Sequence, residues 1–133
     1  MIVTIADTHA VIWQIYADSR LSQTASSYIQ DAGAKGQQIG VSSITLVEMV
    51  YLIERQRIAL ESFTRLCQAL ESTQTAFTEI PIDLNIARAL SRIDAISIPD
   101  MPDRIIAASA QHLNVPVITR DTRISASGMQ VIW

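Results

Sequence analysis

The chain of 133 residues is 49% hydrophobic and 17% charged, which excludes general disorder and suits one domain, residues 1–133, around one core. Its net charge of −3 and pI near 5.2 exclude a broad basic face for duplex DNA but leave room for a small nucleic-acid site. No apolar run approaches the roughly 18 residues of a membrane helix, the opening MIVTIAD lacks a basic leader, and the lone Cys67 permits neither an internal disulfide nor the usual zinc spacings.

These features lead to the expectation of a soluble, cytoplasmic protein with no membrane association. Of the ten basic residues only Lys35 is lysine; the rest are arginines, whose planar guanidinium suits phosphate as well as surface ion pairs.

Along the chain, Ile2–Ala6 is a β-branched apolar run ending at Asp7, which predicts a strand buried on both faces. Thr8–Tyr16 turns helical and is broken by Asp18-Ser-Arg. Ser22 caps a helix to about Ala32, where Gly33 and Gly36 stop it, and Ile39–Val41 is a second strand. Ser42 or Ser43 then caps a strongly apolar helix through about Gln56, and Leu60–Ser72 is another helix. A strand near Ala76–Ile80 precedes a helix opened by Pro81 and Asp83 and running to about Ile93. Pro99–Asn114 reads as loop into helix with Pro102 near the first turn, and Pro116–Thr119 and Gln130–Ile132 finish as strands. Strands alternating with helices predict an α/β fold, a three-layer α/β/α sandwich around a mainly parallel sheet. Ligands in such sheets bind at the carboxyl ends of the strands.

Acidic residues collect at those ends. Asp7 follows the first strand, Asp121 follows the strand Pro116–Thr119, and Asp100 and Asp103 lie three apart at a helix start. Glu48 lies in Ile44–Ile53, where eight of ten residues are apolar and a buried carboxylate is costly unless paired. Carboxylates gathered in one cleft raise each other's pKa, and a hard divalent cation such as Mg²⁺ or Mn²⁺ removes the conflict. Each acid also has an ordinary reading: Asp7, Asp100 or Asp103 as a helix cap, Asp121 as a turn residue, Glu48 as a solvent-facing side chain. His9, His112, Cys67, Trp13 and Trp133 are read as surface or packing residues.

The motifs carry a resemblance. Asp7-Thr8-His9-Ala10-Val11-Ile12-Trp13 resembles the opening motif of PIN-domain ribonucleases, in the VapC-type toxin branch of toxin–antitoxin pairs. Val41-Ser42-Ser43-Ile44-Thr45-Leu46-Val47-Glu48 is similar to the second motif, the segment Asp100–Ala110 to the third, and Val117-Ile118-Thr119-Arg120-Asp121 to the fourth. The third departs from the usual pattern: Met101 stands between Asp100 and Pro102. The resemblance implies an Mg²⁺- or Mn²⁺-dependent endoribonuclease with Asp7, Glu48, Asp103 and Asp121 as catalytic, metal-holding residues and Asp100 as a further ligand. Thr8, Arg104 and Arg120 are candidate substrate contacts. An antitoxin, an RNA substrate and a homodimer are the implied partners. Two other readings stand beside it, a catalytically silent PIN-like scaffold and a Mg²⁺-binding receiver-like signalling module. The second calls for a late lysine, which this chain lacks.

The apolar run Ile44–Ile53 adds a separate expectation. A helix hydrophobic almost all round must be covered on more than one side. Met49, Leu52 or Ile53 is therefore expected under a second chain, unless Leu60–Ser72 folds back over them.

Overall fold

The computed structural model describes residues 1–133. Five apolar segments form strands β1 (Ile2–Ala6), β2 (Gln38–Ser42), β3 (Phe77–Ile80), β4 (Val117–Ile118) and β5 (Val131–Ile132). They pair in the order β3-β2-β1-β4-β5, every pair parallel. The mainly parallel sheet expected from the sequence is thus wholly parallel. The helices are α1 (Thr8–Ile15), α2 (Gln23–Ala34), α3 (Ser43–Glu54), α4 (Leu60–Glu71), α5 (Leu84–Leu90), α6 (Met101–Leu113) and α7 (Thr122–Ala126). No helix is long and apolar enough to cross a membrane.

Strand alternation divides the core between the two faces of the sheet. Ala6 and Ile118 join Val11, Trp13, Ile29, Met49 and Leu66 on the side of α1, α2, α3 and α4. Their neighbours Ile5 and Val117 join Ile106, Ala110 and Ile124 on the side of α6 and α7. The result is the α/β/α sandwich. The chain builds outward from β1 to β3 on one side and then returns to place β4 and β5 on the other. Strand order therefore reverses at β1 and β4, and the crevice of such a sheet opens at the carboxyl ends of those two strands.

Helix ends follow local chemistry. Ser22 and Ser42 cap α2 and α3 through their hydroxyls, as expected from the sequence. Gly33 lies inside α2, and the chain leaves it through Gly36 at φ +69°. Asn114 closes α6 in the left-handed conformation, which its short polar side chain tolerates. α5 ends at Leu90 rather than near Ile93, and α3 at Glu54 rather than near Gln56. α7 was not anticipated: its five residues are too few to show a helical period, and Gly128 at φ +91° follows it closely.

The expectation that Met49 lies under a second chain is corrected, while Leu52, also expected there, lines an open groove beside Val47 and Tyr51. Met49 is fully buried and shares the core with Leu66 of α4, because α4 folds back over α3. Leu52 and Ile53 are half-buried. The apolar residues that α3 presents outward are Val47, Val50 and Tyr51, at 61%, 42% and 51% exposure.

Gly40 sits in β2 between β1 and β3. A Cβ there would stand 2.9 Å from Ile80 Cγ1 and 3.1 Å from Ile5 Cγ1. Gly40→Ala is expected to lower the free energy of unfolding by about 1–3 kcal/mol through overpacking. Denaturant unfolding checks this, and a variant as stable as wild type would show that the two isoleucines move aside freely.

Candidate active site

The acids reach one place because each stands at the start of a helix or in its early turns, above the sheet's carboxyl edge. Asp7 caps α1: its Oδ1 accepts the Ala10 amide at 2.8 Å. Its other oxygen accepts the hydroxyl of Thr119, just past β4. Thr119 in turn accepts the Asp121 amide at 2.9 Å. That hydroxyl ties the ends of the two central strands together. Asp121 caps α7 by accepting the Arg123 amide at 2.8 Å. Asp100 caps α6, with Oδ2 accepting the amide of Asp103 at 3.2 Å. Three ordinary helix-capping roles thus coexist with membership of the acidic cluster.

Glu48 comes from α3 and is steered from α1. Thr8 donates its hydroxyl to Glu48 Oε1 at 2.6 Å, and Thr45 lies 3.0 Å from the same Thr8 oxygen. With the Thr8 proton on Glu48, Thr45 is the donor in the second bond. Thr8 is buried, so its side chain orients Glu48 instead of facing the cleft.

Asp7, Glu48, Asp100, Asp103 and Asp121 line one open cavity of about 430 Å³ together with His9, Trp13, Arg120 and Arg123. Arg104 is not among them. Its Nη2 reaches the Met101 sulfur at 3.6 Å, and its Nε is buried without a partner. Arg123, Thr119 and Thr45 escaped the sequence reading. Arg123 belongs to the short α7, and the two threonines act through other side chains; a hydroxyl residue two before an Asp at a strand end was the available signal for Thr119.

Burial and crowding govern the electrostatics. Desolvation raises the Asp7 carboxyl above its ordinary range, opposed by the Thr119 and Ala10 hydrogen bonds. Desolvation also raises Glu48, opposed by Thr8, while the charge of Asp100 adds to the rise. Asp103 is pushed up to about 8, by desolvation first and then by the charges of Asp100, Asp121 and Glu48. The negative charge here is under-compensated, the condition that favours a bound cation. The donors are all hard oxygens, the set that Mg²⁺ and Mn²⁺ prefer. No three of the acids already converge as a ready ligand group, so the match lies in donor chemistry and local charge.

A model of the PIN domain matches residues 4–128, nearly the whole chain. The protein belongs to the PIN-domain family. No curated protein matches it by sequence. Among solved structures, this PIN domain is similar to a toxin–antitoxin complex from Klebsiella pneumoniae at 26% identity and TM-score 0.65, covering 98% of this chain and 96% of that one. It also shares its fold with VapBC2 from Rickettsia felis, solved bound to a promoter DNA fragment, at TM-score 0.72 and 14% identity, with 98% and 97% of the two chains covered. DNA-bound VapBC from Salmonella typhimurium is similar at TM-score 0.68 and 20% identity, with coverage of 98% and 97%.

The raised pKa of Asp103 has a sign that stability measurements can read. Its folded value of about 8 lies above the ordinary 3.8, so between those values the folded state binds the extra proton and stability falls as pH rises. In chelator, the thermal unfolding temperature of the wild type should decline from about pH 4 towards pH 8. Asp103→Asn should flatten that decline and be more stable than wild type at the alkaline end. Equal pH slopes in the two proteins would mean that Asp103 is not the crowded group.

Proposed function

We propose that this PIN domain is a divalent-cation-dependent endoribonuclease and the toxin of a toxin–antitoxin pair. The single observation that carries the reading is the acidic cavity, where four elements of a PIN fold bring five carboxylates together beside two arginines. The similarity to toxin–antitoxin complexes supports the toxin role.

Asp7, Glu48, Asp103 and Asp121 would hold Mg²⁺ or Mn²⁺, with Asp100 at the rim as a further ligand. The bound cation supplies Lewis acidity towards a phosphoryl oxygen and lowers the pKa of water. The remaining work belongs to the chain's own residues. Asp7 is fixed through both oxygens, by Ala10 and Thr119, so it presents its remaining lone pairs in one orientation. Thr8 fixes Glu48 through one of its oxygens, Oε1. Asp103, raised by burial and by the charges of Asp100, Asp121 and Glu48, is the carboxyl whose crowding a bound cation would relieve most. Arg120 offers a guanidinium to the phosphate. RNA is the favoured substrate over duplex DNA because a chain of net charge −3 has little basic surface with which to track a duplex.

For the partner, the outward face of α3 supports an antitoxin contact. Val47 and Tyr51 line an apolar groove of about 520 Å³ that also contains His9, Glu48 and Asp100. A chain lying in that groove would reach the acids and block them. A homodimer and a cytoplasmic location accompany the toxin role.

The test is cleavage of single-stranded RNA by purified protein with Mg²⁺ or Mn²⁺. Asp7→Asn and Glu48→Gln keep side-chain shape and should fold, yet each should lose about 10²-fold or more in rate, since the charge stabilisation at stake is several kcal/mol. Variants that cut as fast as wild type, or a wild type that cuts duplex DNA equally well, would overturn the reading.

A further inference from the structure

Arg120 and Arg123 line the acidic cavity with five carboxylates, yet neither pairs with any of them. The ion pairs of the molecule are elsewhere, Arg20 with Asp18 and Arg65 with Glu61. Coulomb attraction alone would draw a nearby guanidinium onto such a cluster. Arg120 lies instead over an aromatic face, its guanidinium carbon 4.7 Å from the centre of the Trp13 ring. That ring is a fixed platform, only 4% exposed and braced by Trp133 at 5.9 Å. Arg20 approaches the same ring at 5.1 Å, but its Nε and Nη2 are both engaged by Asp18, at 3.1 and 2.7 Å. Arg123 is anchored through its amide to Asp121, and its side chain makes no hydrogen bond or ion pair.

The cavity therefore carries five carboxylates and two unneutralised guanidiniums, complementary in sign to a cation and a phosphate side by side. We infer that Arg120 and Arg123 form a phosphate-binding wall along which a single RNA strand enters, with Trp13 as the positioning residue that keeps Arg120 from collapsing onto the acids. Bidentate guanidinium donors suit phosphate oxygens. The inference rests on the nuclease reading above for the identity of the strand.

Binding of a fluorescently labelled, mixed-sequence single-stranded RNA in Mg²⁺ tests it, measured by anisotropy across a salt series in the slow-cleaving Glu48→Gln background. Replacing both Arg120 and Arg123 by Gln should weaken binding about tenfold or more and make the log–log salt slope shallower by about 1.4, two phosphate contacts at about 0.7 each. Lysine at both positions should restore the slope. Trp13→Phe, which keeps an aromatic face, should bind like the parent, whereas Trp13→Leu should reproduce the loss at Arg120. In the cleaving enzyme the double Gln change should raise KM and leave kcat nearly unchanged. Unchanged affinity and slope in the double variant would overturn the wall and leave the nuclease reading intact. A wild type that binds RNA through these arginines without cutting it would do the reverse, and one that binds no RNA would overturn both.

Discussion

Five carboxylates gathered above the carboxyl edge of a parallel sheet repel one another, and the fold has to hold them there. Burial and mutual repulsion raise three carboxyls above their ordinary range, so the cluster is unfavourable by itself. Local structure offsets part of that cost. Asp7, Asp100 and Asp121 each accept a helix-start amide, and a capping interaction of this kind contributes about 1 kcal/mol. These three acids are therefore needed by the helices whose starts they occupy, and the acidic cavity and the fold share side chains.

Topology determines which acids meet. Because β4 returns to the free side of β1, Asp7 and Thr119 become neighbours although 112 residues separate them. The sheet is buried on both sides by the two core clusters, which keeps the short strands in register at the point where precision matters. The two hydroxyls, Thr8 and Thr119, convert that register into orientation by each fixing one carboxylate. Trp13 does the equivalent for a base, holding Arg120 beside the acids without neutralising them. A cavity that leaves both signs of charge unpaired suits a cation and a phosphate bound side by side.

Much of this was legible in the sequence, for physical reasons that also mark its limits. The parallel sheet followed from short β-branched runs alternating with helical segments, and the carboxyl-edge rule then directed attention to Asp7, Asp100, Asp103 and Asp121. Glu48 stood out because a carboxylate in an apolar helix needs a reason. What remained hidden depends on side-chain direction. Thr8 reads in the sequence as a substrate contact, and only the packing of α1 against α3 turns its hydroxyl onto Glu48. Arg104 adjoins an acid in sequence, but its Nη2 reaches Met101 of its own helix. Met49 was expected at a partner surface, and the return of α4 buries it while exposing Val47, Val50 and Tyr51. The five-residue α7 carried no periodic signal, so Arg123 was missed with it.

The crowding of the acids is tested most directly by the titration of Asp103 itself, followed through its carboxyl ¹³C resonance with and without Mg²⁺. Without the ion, Asp103 should titrate near 8; with saturating Mg²⁺ it should fall to the ordinary carboxylate range of about 4 or below. A carboxyl that titrates in the ordinary range without the ion, or one that stays high when Mg²⁺ is added, would contradict a cluster built to be completed by a cation.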